Sequence, residues 1–92
     1  MLMTPILQVI RSHEIHAILP LGRTAIDSGI AEGLIPPRIH LGQRAVGFLK
    51  HELEVIIIAR ATGRSDAEIR ELVAQLVLSR EVTLLALTKH LH

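Results

Sequence analysis

The chain contains no cysteine, tryptophan or tyrosine, and its only aromatic residue among 92 is Phe48. Without cysteine, the chain can form neither a disulfide framework nor a thiolate metal site. No apolar stretch reaches the roughly 18 residues of a membrane-spanning helix, because arginine or glutamate interrupts each candidate. The first four residues lack the basic segment and the small-residue cleavage site of a signal peptide. We therefore expect a cytoplasmic protein that has no membrane partner.

Size and charge narrow the function classes further. A chain of 92 residues forms one domain with a modest core and offers little room for an enzyme cleft. The apolar fraction of 49% and the mean hydropathy of +0.42 are high for a small soluble protein. Residues 1–50 carry five basic and three acidic side chains (+2), and residues 51–92 carry five basic and six acidic (−1). Such a weak asymmetry does not by itself predict nucleic-acid binding.

The stretch that follows Gly33 is the most informative part of the chain. Gly33 can end a helix in the left-handed conformation, and the two prolines after it prevent the helix from restarting. Two alternating runs, residues 38–41 and 44–48, are joined at Gly42 and Gln43, which predicts a tight β-hairpin. Its apolar residues are Ile39, Leu41, Val46 and Phe48, and its polar face and tip carry Arg38, His40, Gln43 and Arg44. A small hairpin with a cationic tip after a short helix pair is typical of the wing of a DNA-binding winged helix-turn-helix protein.

The N-terminal residues leave two alternatives open. Thr4 suits a helix N-cap and Pro5 suits the first helical position, so residues 5–10 could form one or two helical turns. An extended arm over the same residues is equally compatible with the sequence.

The segments before the hairpin predict a helix-turn-helix. Ser12 is a candidate N-cap for a helix over residues 13–19. Gly22 is a candidate cap for a second helix over residues 23–32, which Gly33 ends. The three residues between the two helices match the turn of a helix-turn-helix. The side chains expected to point inward are Ile15, Ile18, Leu19, Leu21, Ile26 and Ile30.

The C-terminal half predicts two further helices. The first covers residues 50–62 and ends at Gly63. Ser65 and Glu68 form a capping box at the start of the second helix. An apolar stripe follows it, and residues 82–87 are then apolar on nearly all faces, which is more than one small domain can cover. We therefore predict that this helix pairs with a second copy through Ile69, Leu72, Val73, Leu76 and Val77.

These elements predict a mainly α protein with a small β-hairpin, a winged helix-turn-helix followed by C-terminal helices. Residues 1–62 would form the DNA-binding domain, and residues 63–92 a helical extension for dimerisation. Because no linker separates them, we expect the two parts to form one compact unit.

A series of residues in the first two thirds of the chain matches a known pattern: Arg23, Thr24, Ala25, Ile26, Glu32, Gly33, Pro36, Leu41 to Leu49, and Glu52. Its most specific part is leucine-glycine-x-arginine-alanine-valine-glycine-aromatic at residues 41–48. Over residues 10–59 the chain resembles the AlpA-like family of prophage regulatory proteins, which belongs with the excisionase and MerR-like winged helix-turn-helix proteins. The resemblance implies a regulator of phage, prophage or integrative-element genes that binds double-stranded DNA, and some relatives also direct excision.

Several positions depart from the pattern of this family. Asp27 and Ser28 stand where relatives usually have an aromatic and then a basic residue, and His40 replaces a wing lysine or arginine. Ala31 replaces an often basic residue, and Gly29 an often apolar one. Because phosphate neutralisation supplies most DNA affinity, these changes predict weaker binding, with Asp27 opposing phosphate.

The candidate DNA contacts lie on the second helix, which would enter the major groove, and on the wing, which would touch the flanking backbone. They are Arg23, Thr24, Asp27, Ser28, Arg38, His40, Gln43 and Arg44. Such a regulator would be associated with the bacterial nucleoid. The alternative is a winged-helix interaction module, an antirepressor or adaptor with weak or no DNA binding, whose partner is another phage or host regulatory protein.

The sequence predicts neither a cofactor nor an enzyme. His13 and His16 stand three residues apart, whereas the zinc-protease helix places its two histidines four apart, and no third ligand is indicated. The chain also shows no nucleophile–base order, paired-carboxylate cleft or phosphate-binding glycine loop. We therefore expect no bound metal and no catalytic residue.

Overall fold

The structure is a computed structural model that describes residues 7–89. In chain order its elements are strand β1 (Val9–Arg11), a 3₁₀ helix (Ser12–Ala17), helix α1 (Arg23–Ala31), strands β2 (Ile39–His40) and β3 (Val46–Leu49), and helices α2 (Lys50–Ala61) and α3 (Asp66–Thr88). The strands form one antiparallel sheet in the order β1-β3-β2. This arrangement confirms the predicted fold class. Within residues 7–89, no helix has the length and apolar character needed to cross a membrane.

The N-terminal segment is extended where the structure describes it. Strand β1 pairs with β3, and Ile10 lies opposite Phe48. Gly47 permits this pairing, because a Cβ atom there would lie 2.7 Å from the Ile10 carbonyl oxygen. The helical alternative for residues 5–10 is therefore wrong for residues 7–10, the part of that segment that the structure describes, while the proposed cap at Thr4 lies outside the described residues.

The first helix differs from its prediction in type and in extent. It is a 3₁₀ helix over Ser12–Ala17, and the N-cap is Arg11 rather than Ser12. Pairing of β1 with β3 holds Arg11 in an extended conformation (φ −63°, ψ 148°), which is the backbone that an N-cap needs. The predicted start at residue 13 is therefore late. The N–H groups of Ile18 and Leu19 both donate to the Ile15 carbonyl and close the segment.

Helix α1 begins where Gly22 predicts and ends close to Gly33, as expected. Gly22 is the N-cap in an extended conformation, and Gly33 adopts φ +76° just after the last turn. The helix ends at Ala31, one residue before the predicted end. A Cβ atom at Gly29 would lie 2.6 Å from Ile35 Cδ1, so a larger residue there would force the Ile35 side chain to shift.

The wing is a hairpin whose loop is longer than predicted. Strand β2 contains two residues, Ile39–His40. The Leu41 N–H donates to the Ala45 carbonyl at 2.7 Å, which extends the ladder by one position. Residues 42–44 therefore form a three-residue tip, and the prediction of a two-residue turn is wrong. Arg44 lies on this tip and not in a strand.

The core consists of two clusters. The first contains Ile15, Ile26, Ile35, Phe48 and Leu53, with Ile18, Leu19 and Ile30 packed against it. The second contains Ile56, Ala59, Ile69 and Val73, with Leu34, Leu72 and Leu76 packed against it. The first cluster joins the helix-turn-helix to β3 and α2, and the second joins α3 to α2. Of the six side chains predicted to point inward, Leu21 is the exception, at 43% exposed.

The two C-terminal helices follow their predictions closely. Helix α2 ends at Ala61, and Gly63 adopts φ +79° after it. At the start of α3, Ser65 Oγ accepts a hydrogen bond from the Glu68 N–H at 3.2 Å, and Glu68 Oε1 accepts one from the Ser65 N–H at 3.1 Å. The bond from the Ser65 N–H is the main reason that the pKa of Glu68 is lowered. The predicted capping box is confirmed.

A buried ion pair, which was not predicted, fastens α3 to the rest of the chain. Glu52 is 1% exposed and accepts two hydrogen bonds from Arg80, at 2.8 Å from Nε and 2.6 Å from Nη2. The same Nη2 donates to the Pro37 carbonyl at 3.0 Å. The bonds to Glu52 raise the pKa of Arg80, so this side chain stays charged. Arg80 thus joins α3 both to α2 and to the segment that leads into the wing.

Candidate nucleic-acid interface

A groove of about 610 Å³ lies between the 3₁₀ helix, the start of α1 and the wing. We call it the cationic groove. Its charged and histidine lining residues are Arg11, His13, His16, Arg23, Asp27, Arg38 and Arg44. Four guanidinium groups against one carboxylate give this groove a positive potential, which attracts polyanions such as nucleic acid.

The structure brings together half of the predicted DNA contacts. Arg23, Asp27, Arg38 and Arg44 line the cationic groove. The other four, Thr24, Ser28, His40 and Gln43, are exposed but lie outside its lining. Sequence reasoning did not assign Arg11, His13 and His16 to this surface. Only the pairing of β1 with β3 places them beside the wing, and that strand was not predicted.

The start of α1 suits an anion. Arg23 is the first residue of the helix, and its side chain is 91% exposed. Within the described residues, no side chain caps the helix N-terminus, since the N-cap is Gly22. Unpaired N–H groups and the positive end of the helix dipole both favour a phosphate or carboxylate at this position.

Asp27 contacts two arginine side chains. Its Oδ1 accepts a hydrogen bond from Arg38 Nη2 at 2.6 Å, and its Oδ2 lies 4.0 Å from Arg23 Nε. The Arg38 guanidinium carbon also lies 5.4 Å from the centroid of the Phe48 ring. Two arginines therefore offset the charge of Asp27, and Arg38 is held between α1 and the core beneath the wing.

The two histidines of the cationic groove have identifiable surroundings. His16 Nδ1 lies 2.8 Å from the Leu21 carbonyl oxygen, so this ring nitrogen must carry the proton, because a carbonyl only accepts. The contact closes the turn between the 3₁₀ helix and α1. His13 is exposed. Across residues 7–89, no three histidine, aspartate or glutamate side chains converge on a possible metal position.

A second groove, of about 640 Å³, runs between the helix-turn-helix turn, α1 and α2. We call it the apolar groove. Its lining is mostly aliphatic and includes Leu19, Leu21 and Ile57, and its charged lining residues are Glu32 and Arg60. Arg60 is already paired with Asp66 at 2.9 Å. The apolar groove therefore offers hydrophobic contact rather than charge.

The predicted dimerisation stripe lies mainly in the core of the chain itself. Ile69 and Val73 are buried against α2, Leu72 and Leu76 pack on the same cluster, and Val77 is half-buried. Because one chain already covers these side chains, the stripe does not form a free surface for a second copy, and the prediction is corrected on this point. The exposed large apolar residues of α3 are Leu78, Val82, Leu84, Leu85 and Leu87.

The helix-turn-helix, the three-stranded sheet and the wing beside a cationic groove define a winged helix-turn-helix protein. Residues 8–60, more than half of the chain, match the family model described as "Prophage CP4-57 regulatory protein (AlpA)". The chain therefore belongs to the AlpA family of prophage regulatory proteins, and the resemblance seen in the sequence is confirmed. No curated protein and no solved structure matches the chain. Helix α3 lies outside the matched region.

Proposed function

We propose that the protein is a DNA-binding transcriptional regulator of a prophage or integrative element, and that its cationic groove receives the phosphate backbone. The observation that carries the proposal is the convergence of Arg11, Arg23, Arg38 and Arg44 beside the uncapped start of α1. Phosphate contacts of this kind supply affinity and set the register of a protein on the duplex. Membership of the AlpA family supports the same reading.

The arrangement of the elements suggests how the contacts are divided. Helix α1 would lie in the major groove, where the exposed hydroxyls of Thr24 and Ser28 face base edges or backbone. The wing tip would rest on the neighbouring backbone through Gln43 and Arg44. Arg38 would act mainly by fixing α1 to the wing, because its guanidinium already donates to Asp27.

The same mode of binding would serve either transcriptional control or excision, since both require a protein that marks one DNA site. We propose further that the protein acts in the bacterial cytoplasm, on the nucleoid, and as a homodimer. A twofold dimer would place two copies of α1 on two half-sites of an inverted repeat.

The test compares two double variants that remove the same charge. Arg11→Gln with Arg23→Gln changes the cationic groove, while Arg60→Gln with Arg64→Gln changes the exposed junction of α2 and α3. In fluorescence anisotropy with a labelled duplex, the groove variant should bind more weakly by about eightfold per lost phosphate contact at about 0.1 M salt. The control should stay within about twofold, since it alters only long-range charge. Equal losses would overturn the assignment of the groove.

One observation favours the alternative function, a winged-helix interaction module that acts as an antirepressor or adaptor. The apolar groove is large, and Leu21 at its edge is 43% exposed. A module of this kind would bind a protein segment there and would show no salt-dependent affinity for duplex DNA. Leu21→Gln would then impair its activity in cells, whereas Arg11→Gln would not.

A further inference from the structure

Helix α3 has an exposed face that nothing in the described chain covers. Ile69, Val73 and Arg80 point toward α2 and its ion pair. On the other side of α3, exposed residues alternate at spacings of four and three, and we call this set the outer seam: Glu71, Gln75, Leu78, Val82, Leu85 and Lys89. This is the spacing of the contact positions of a coiled coil.

The centre of the outer seam is apolar and well exposed. Leu78 is 64% exposed, and Val82 and Leu85 are each 66% exposed. Arg80 contacts Glu52, which is only the third residue of α2. The part of α3 that follows Arg80 therefore lies near the start of α2 and has little of that helix to pack against. Burying these aliphatic side chains against an equivalent surface would remove their apolar area from water.

The charges at the two ends of the outer seam identify the partner and its direction. The seam begins with Glu71 and ends with Lys89, both exposed. In a parallel pair of α3 helices, each glutamate would meet a glutamate and each lysine a lysine. In an antiparallel pair, each Glu71 would meet the Lys89 of the other copy, and both ends would be attractive.

We propose that α3 forms an antiparallel pair with α3 of a second copy through the outer seam, centred near Arg80. In this register Leu78 packs against Val82 of the second copy, Gln75 lies opposite Leu85, and Glu71 pairs with Lys89. The proposal identifies the contact surface of the proposed homodimer. Only the biological role of this contact rests on the proposed function. The proposed contact thus uses the face of α3 opposite to the buried stripe that the sequence predicted for dimerisation.

The pairing leaves both DNA-binding surfaces free. Each winged domain packs on the inner face of its own α3, so the two domains lie on opposite sides of the helix pair. None of the residues in the outer seam lines the cationic groove. The twofold axis relates the two grooves, which suits an inverted repeat.

The first test is the oligomeric state of the protein alone. Sedimentation equilibrium of the wild type should show a dimer, and Leu78→Gln should weaken dimerisation by about tenfold or more, because each dimer buries two copies of this side chain. Leu84→Gln is the matched control, since Leu84 is likewise exposed on α3, at 54%, but lies outside the outer seam. A wild type that stays monomeric at high micromolar concentration, or equal effects of the two variants, would overturn the proposal.

The second test determines whether the two α3 helices pair in an antiparallel or a parallel direction, and it changes no apolar residue. Glu71→Lys and Lys89→Glu should each weaken the dimer by a few fold, and the double variant should restore it, because only an antiparallel pair then regains unlike charges. Single variants without effect, or a double variant that is no better than either one, would contradict the antiparallel register. Both tests use protein without DNA. A dimer that fails to bind DNA would therefore refute the proposed function and leave this inference intact.

Discussion

Asp27 of α1 and Arg38 at the start of the wing are joined by a hydrogen bond of 2.6 Å between Oδ1 and Nη2. The Asp27 side chain is 50% exposed, and that of Arg38 is 32% exposed. A pair at this exposure stabilises the fold by at most about 1 kcal/mol. Its main consequence is geometric, since it fixes α1 relative to the wing. It also explains how an acidic residue is tolerated on a surface that is otherwise cationic.

Replacing Asp27 by asparagine should strengthen non-specific DNA binding. The change removes one negative charge from the cationic groove and releases Arg38 and Arg23 for phosphate. The log–log salt slope should become steeper by about one unit, and the gain should be largest at low salt. Glu32→Gln makes the same charge change at the other end of α1 and serves as control. Weaker binding to a single sequence would show instead that Asp27 reads a base.

Gly47→Ala should destabilise the fold by about 1–3 kcal/mol. The added Cβ atom would lie 2.7 Å from the Ile10 carbonyl oxygen, so β1 would have to separate from β3. Gly42→Ala at the wing tip is the matched control, because no atom lies within 4 Å of its Cβ position. Urea unfolding of both variants measures the difference. Equal stability would mean that β1 does not pair as described.

Arg80→Met should destabilise the fold by about 3–5 kcal/mol, because it leaves the carboxylate of Glu52 buried and unpaired. Adding Glu52→Leu should recover most of the loss, since the buried charge is then removed as well. Guanidinium unfolding of the wild type and the single and double variants gives this comparison. If Arg80→Met cost no stability, α3 would not be docked through this ion pair.

The capping box of α3 should show a defined pH dependence. Hydrogen bonding to Ser65 lowers the pKa of Glu68 in the folded chain. Stability from its carboxylate is therefore fully present above the ordinary glutamate pKa of about 4.3, and is lost as pH falls through the lower folded value. The wild type should be more stable than Glu68→Gln at neutral pH, and the difference should disappear in acid. If thermal unfolding showed the same stability difference between the wild type and Glu68→Gln from pH 7 to pH 3, the Glu68 carboxylate would not stabilise the fold through the capping box.

The elements that were predictable from the sequence are those whose signals are local. Gly22, Gly33 and Gly63 mark helix ends by their own conformation or position, and Ser65 and Glu68 cap each other across a single turn. Local chemistry of this kind depends little on the rest of the chain.

What could not be predicted depends on partners distant in sequence. Pairing of Ile10 with Phe48 decides that the N-terminal segment is a strand. Glu52 and Arg80 are 28 positions apart in the sequence, so no local pattern indicates their ion pair. The stripe that contains Ile69 and Val73 has the same spacing whether α2 or a second copy covers it. The sequence therefore located the part of the cationic groove that lies on α1 and the wing, and missed the part that Arg11 of β1 and the two histidines of the 3₁₀ helix supply.

The most direct test of the proposed function is the salt dependence of binding to a random-sequence duplex. If the four arginines of the cationic groove act on phosphates and Asp27 offsets one of them, a plot of log affinity against log salt should have a slope of about −3 per protomer. Arg44→Ala, at the wing tip, should reduce this slope by about one unit, whereas Arg64→Ala should leave it unchanged. A wild-type slope near zero would contradict the account and favour the protein-interaction alternative.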